Sequence, residues 1–102
     1  MKNNKKLLLS KCVEDFGERL RIAKMLTYAF GMREGEPYNN NPGIWRNTYR
    51  WSIDVFGNNF WLEFDKENTQ LITLNCRYDY LEPTLVAFAT YIAYRLNAEV
   101  LQ

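Results

Sequence analysis

RWSIDVFGNNFWLEFD, residues 50–65, alternates with a two-residue period, turns, and alternates again. Trp51, Ile53, Val55, Phe60, Leu62 and Phe64 form one set; Arg50, Ser52, Asp54, Trp61, Glu63 and Asp65 form the other. Successive strand residues point to opposite faces, so the pattern predicts two strands with one buried face and one open face. Gly57-Asn58 suits a two-residue hairpin turn. That turn pairs Val55 with Phe60, Ile53 with Leu62 and Trp51 with Phe64, and sets Asp54 opposite Trp61 and Ser52 opposite Glu63. A third alternating run, from about Leu71 to Tyr78, extends the sheet. Apolar matching there puts Phe64 opposite Ile72, Leu62 opposite Leu74 and Phe60 opposite Cys76.

Upstream, residues 4–30 read as helix. Leu9, Val13, Phe16, Leu20, Ala23, Thr27 and Phe30 recur at spacings of four and three, which is one helical face. Gly17 is the weak point, costing about 1 kcal/mol relative to alanine in mid-helix, so the helix breaks or starts there. Gly31 suits the closing position. Residues 31–47 lose all period and predict a long loop. Its Tyr38, Ile44 and Trp45 predict that it folds back over the sheet. Downstream, Pro83 opens a second helix over 83–97, with Leu85, Phe88, Ala89, Ile92 and Leu96 on one stripe. Asn97 ends it, and Glu99, Val100 and Leu101 suit a short edge strand. The expected order is α-β-β-β-α with that closing strand. This is a two-layer α+β domain with a three-stranded antiparallel sheet and both helices on its single apolar face.

The 102 residues fit one domain, and 47% hydrophobic content can fill one modest core. The net charge of +1 excludes a strong global field toward nucleic acid or membrane. The charge is unevenly spread: residues 1–50 hold ten Lys/Arg against five Asp/Glu, and residues 51–82 hold two against six. Intramolecular pairing between layers is the simplest reading of that split. The Leu7-Leu8-Leu9 run is too short for a secretory signal, and no stretch approaches the ~20 apolar residues of a membrane span. A cytoplasmic protein with buried, reduced Cys12 and Cys76 is expected.

Little here points to catalysis. Two cysteines without a histidine do not make a zinc site, and no phosphate-binding loop is visible. Neither a metal nor a cofactor is expected. Cys12 has no histidine to activate it. Asp54, Glu63 and Asp65 on the open face read as a solvated strand surface, because a small sheet offers no cleft to raise a carboxyl pKa. Nucleic-acid binding is disfavoured by those same carboxylates. Its best case rests on Lys2, Lys5, Lys6, Lys11, Arg19, Arg21 and Lys24, which the helical reading places together on the first helix.

Trp61 stands out because it falls in the polar set. Either its own loop covers it through Tyr38, Ile44 or Trp45, or it anchors an interface. Tryptophan, tyrosine and arginine are enriched at binding hot spots. Arg50, Ser52, Asp54, Glu63, Asp65, Thr73, Asn75 and Arg77 surround it in this register. That is an aromatic anchor with a mainly acidic rim, suited to a basic protein partner.

RWSIDVFGNNFWLEFD, QLITLNCRYDYLEP and LVAFATYIAYRLNAEVLQ together resemble small bacterial immunity proteins of polymorphic and contact-dependent growth-inhibition toxin systems. The likeness is architectural: an alternating hairpin, a third strand, and a terminal helix closed by a short strand. It implies a non-catalytic protein that blocks the active site of a cognate toxin, with a basic nuclease domain as one candidate target. The chain departs from the strongly acidic nuclease-neutralising members in its net charge, while its middle third is acidic. Phage-encoded inhibitors of bacterial defence complexes share the size and the lack of catalytic residues. The expected contact residues are Trp61, Asp54, Glu63, Asp65, Trp45 and Tyr38. A nucleic-acid-associated regulator and a homodimer joined across the sheet are the other readings.

Overall fold

The structure, a computed structural model, describes residues 3–29, 49–53 and 59–101. The segment 31–47, expected to be a loop, with Tyr38, Ile44 and Trp45, lies outside these residues, as do Asp54 and the expected turn at Gly57-Asn58. The elements in chain order are β1 (Asn4–Leu8), α1 (Phe16–Ala29), β2 (Arg50–Ile53), β3 (Phe60–Phe64), β4 (Leu71–Cys76), a 3-10 turn (Asp79–Leu81), α2 (Glu82–Leu96) and β5 (Glu99–Leu101). The strands form one sheet in the order β2-β3-β4-β1-β5, with every neighbouring pair antiparallel. The fold is α+β.

The largest departure from the sequence reading is at the N-terminus. Residues 4–8 were expected to be helical; they form β1, an inner strand between β4 and β5. Leu7 sits opposite Ile72 on one side and Val100 on the other, and it is fully buried. The connection after β1 is held to the β3–β4 turn: the Leu9 amide donates to the Gln70 carbonyl at 2.7 Å and the Val13 amide to Thr69 at 2.8 Å. Leu9 and Val13 are therefore buried without being helical.

The helix starts at Phe16 for a local reason. Asp15 Oδ1 accepts the Glu18 amide at 2.8 Å, the bond of an N-cap residue to the third helical position. The aspartate-x-x-glutamate spacing matches a helix-start signature. Gly17 lies in the first turn, where its flexibility costs little. Among the described side chains of α1, Arg19, Ile22 and Ala23 are buried; Ala23 belongs to the expected stripe, whereas its Phe16 and Leu20 are only half-buried.

The β3–β4 register is the expected one: Phe60 faces Cys76, Leu62 faces Leu74 and Phe64 faces Ile72. The β2–β3 register is shifted by two residues, with Trp51 opposite Leu62 and Ile53 opposite Phe60. A two-residue shift preserves which face is buried, so the apolar pattern could not detect it. Residues 54–58, which would close this hairpin, lie outside the described residues. β4 ends at Cys76, two residues short of the expected Tyr78.

α2 follows the sequence closely. Leu85, Phe88, Ala89 and Ile92 are its buried residues, and Asn97 closes it in the left-handed conformation at φ 51° and ψ 47°. Phe60 meets Phe88 edge-on, with ring centroids 5.1 Å apart. Both helices and one face of the sheet contribute to a single connected core.

Candidate interaction surface

Alternation along the strands puts Trp61 and Glu63 of β3 on the face opposite the core. Their cross-strand neighbours there are Ser52 and Arg50 of β2 and Asn75 and Thr73 of β4. β1 then adds Asn4 opposite Asn75 and Lys6 opposite Thr73. One row across the sheet therefore reads Arg50, Glu63, Thr73, Lys6, Leu101.

This arrangement answers why a tryptophan belongs to the polar set. The Trp61 indole N–H donates to Glu63 Oε1 at 2.8 Å, a contact between residues two apart on one strand face. The Arg50 guanidinium carbon lies 4.9 Å from the Trp61 ring centroid. A cation over an indole face contributes about 0.5–1 kcal/mol at an exposed site. Asn75 Nδ2 donates to the same Glu63 Oε1 at 3.4 Å. Trp61 is thus half-buried among its polar neighbours; Glu63 and Arg50 contact it directly, and Asn75 braces Glu63. Cross-strand placement of Arg50 opposite Glu63 also puts opposite charges side by side, which stabilises the pairing.

Asp65 has a local task. Its Oδ1 accepts the amides of Glu67 at 2.9 Å and Asn68 at 2.7 Å, closing the turn that leads to β4. These two amides, that of Asn68 first, hold its carboxyl below the usual carboxylate range, and the nearby Lys6 ammonium adds to the effect. A depressed folded pKa means that this contribution is present above the unfolded value and is lost as pH falls through the folded one. Asp65→Ala is therefore expected to lower Tm at neutral pH. The gap from the parent protein should shrink below about pH 4, where the unfolded carboxyl protonates, and vanish at lower pH. Thermal melts of both proteins between neutral and acid pH measure this; a gap independent of pH would contradict it.

Beside this cluster Tyr49 is approached by two cations. The Arg19 guanidinium carbon is 4.2 Å from its ring centroid and Lys66 Nζ is 5.5 Å away. Tyr49, Arg50, Glu63, Phe64, Asp65, Lys66 and Thr73 line a shallow, open depression.

Of the expected contact residues, Trp61, Glu63 and Asp65 lie together on or beside this face; Asp54, Trp45 and Tyr38 fall outside the described residues. Lys6 was placed elsewhere by the sequence reading, and it makes the rim mixed in charge rather than mainly acidic. The basic residues assigned to the first helix disperse. Lys5 and Lys6 are in β1, Lys11 is in the connection and Arg19 is buried, which leaves Arg21 and Lys24 on α1. Arg21 and Lys24 share an open depression with Arg95. Of the two thiols, both expected to be buried, only Cys76 is. Cys76 is buried, its Sγ lies 3.4 Å from the Tyr78 carbonyl oxygen, and burial pushes its pKa up; Cys12 is exposed in the connection before α1.

Among the described residues no cluster of metal-ligating side chains occurs, and no helix is long and apolar enough to cross a membrane. No protein-family model, curated protein or solved structure matches the chain.

Proposed function

We propose that this chain is a non-catalytic protein-binding inhibitor of the immunity type, which neutralises a cognate toxin by covering its active site with the open sheet face. The observation that carries the reading is Trp61, an aromatic anchor held in place by Glu63 and Arg50 among the polar side chains of β3, β4 and β1 on the open sheet face. Such an anchor is already oriented, so binding loses little side-chain entropy there. The face interleaves Arg50 and Lys6 with Glu63 and Asp65. A partner presenting both signs fits it better than a uniformly basic nuclease surface. The same reading covers an inhibitor of a bacterial defence complex, because the recognition chemistry is shared. Among the described residues, the nucleic-acid reading keeps the group Arg21, Lys24 and Arg95.

Affinity capture from the native host tests this, with parent protein and the Trp61→Ala, Glu63→Lys double variant as baits. One stoichiometric protein should survive a high-salt wash on the parent and be absent from the variant, with the variant's circular dichroism unchanged. Equal recovery on both baits contradicts the proposal. So does retention of nucleic acid alone, lost at high salt and on neutralising Arg21, Lys24 and Arg95.

A further inference from the structure

Two exposed tyrosines, Tyr78 and Tyr80, stand stacked on each other between the end of β4 and the start of α2. We infer that this stack, with Asp79 and Glu82 beside it, receives an arginine side chain of a protein partner.

The backbone here is held by its own bonds. Tyr78 is extended at φ −127° and ψ 147°, and its carbonyl accepts the Leu81 amide at 3.0 Å. The Cys76 Sγ lies 3.4 Å from the same carbonyl oxygen, and the Glu82 amide donates to the Asp79 carbonyl. On this turn the two tyrosine rings lie 5.7 Å apart between centroids and 10° from parallel. Neither is taken into the core: Tyr78 is 47% and Tyr80 74% exposed. The pair therefore presents an aromatic face to water in a fixed orientation, and an oriented face loses little entropy on binding.

Charge around the stack selects the ligand. Burial raises the Cys76 pKa, and the carboxylates of Glu82 and Asp79 raise it further, so both negative charges gather at the end of β4. Among the described residues neither carboxylate takes part in an ion pair or a side-chain hydrogen bond. Their place at the start of α2 suits the helix dipole, which leaves the carboxylate oxygens open to a donor. Arg77 does not neutralise them. Its amide continues the ladder to the Asn59 carbonyl at 2.9 Å, so alternation turns its side chain away from the Cys76 side.

Elsewhere the chain supplies the cation for its aromatic rings itself: Arg19 lies over Tyr49, Arg50 over Trp61 and Arg95 over Tyr91. Tyr78 and Tyr80 are flanked by carboxylates instead, and a cation from outside completes the same arrangement. A guanidinium fits on two counts. Its plane lies flat on an aromatic ring, and its fork of N–H donors matches a carboxylate. An ammonium brings the charge without the plane. A nucleobase would stack on the rings, but Asp79 and Glu82 repel the phosphates that accompany it. Tyrosine and arginine are also the residue types enriched where protein interfaces bind most strongly.

Titration of the full chain with an acetylated, amidated tri-arginine peptide tests this, read by NMR at the ring protons of Tyr78 and Tyr80. Saturable shifts of both rings are expected, with tri-lysine binding more weakly. Tyr80→Ala should weaken tri-arginine binding by about two- to fivefold, the contribution of a cation on an exposed ring. Asp79→Asn combined with Glu82→Gln should abolish saturation over the same peptide range, with unchanged circular dichroism. The inference is overturned if tri-arginine gives no saturable shift, or if its shifts are confined to the Trp61 indole. It is overturned equally by tri-lysine that binds as well as tri-arginine, or by binding that Tyr80→Ala leaves undiminished. A single-stranded oligonucleotide that shifts the two rings where tri-arginine does not would assign the stack to bases and overturn it too.

Discussion

Leu7→Ala is expected to destabilise the protein by about 3 kcal/mol, within the usual range for a buried leucine truncated in a packed core. Leu7 has no exposed surface and stands between Ile72 and Val100 in the middle of a three-strand row. The change leaves a cavity where β4, β1, β5 and α2 meet. For a domain of this size the loss corresponds to a fall in Tm on the order of 10–20 °C. Urea denaturation should show a lower midpoint with an unchanged slope, since the surface exposed on unfolding is nearly the same. The substitution also discriminates between the two accounts of the N-terminus. Leu7 is absent from the apolar stripe of the helix that the sequence suggests, and on that helix it would face solvent. A change within about 0.5 kcal/mol, as surface substitutions give, would contradict the position of β1.

Arg19→Ala is expected to cost a similar amount, about 3 kcal/mol, because it removes a long side chain from the interior of the fold. Arg19 is 2% exposed, stacks on Tyr49 at 4.2 Å, and lies 3.5 Å through Nη1 from the Glu14 carbonyl oxygen. Its aliphatic stem packs where α1 meets the start of β2. A buried cation contributes less through its charge than through the groups it keeps in place, since desolvation offsets most of the Coulomb gain. Arg19→Met, which keeps the stem's volume, should therefore recover most of the loss. Denaturant unfolding of both variants measures the difference. A methionine variant as unstable as the alanine one would show that the guanidinium contacts, not the stem, hold this corner together.

These two residues mark what the sequence reading missed. Asn4–Leu8 is a five-residue strand whose pairing partners lie about 65 and 93 residues away in sequence. Lysine and leucine are good helix formers, so local preference argued for helix, and tertiary pairing overrode it. Arg19 reads as an exposed helical charge until Tyr49 is brought beside it. The Asp15–Glu18 spacing is a local cap signal of the true helix start, which the helical reading of 4–30 passed over. The β3–β4 register and α2 were legible because each rests on a pattern contained within its own segments. In the site, Trp61 and Glu63 share a strand face by alternation alone. Arg50 was on the correct face, but its place opposite Glu63 depended on a register that the apolar pattern left open by two residues. Lys6 was invisible there, since it arrives through β1. The basic first half and acidic middle third meet partly within the molecule, with Lys6 near Asp65 and Arg50 opposite Glu63.

The measurement that bears most directly on the central claim is the affinity of the captured protein partner for parent and Trp61→Ala proteins, by calorimetry at low and high salt. An anchoring tryptophan contributes about 2 kcal/mol or more, so the variant should bind roughly 30-fold more weakly at both salt concentrations. Equal affinities would show that the partner reads another surface and that the Arg50–Trp61–Glu63 cluster serves only the sheet.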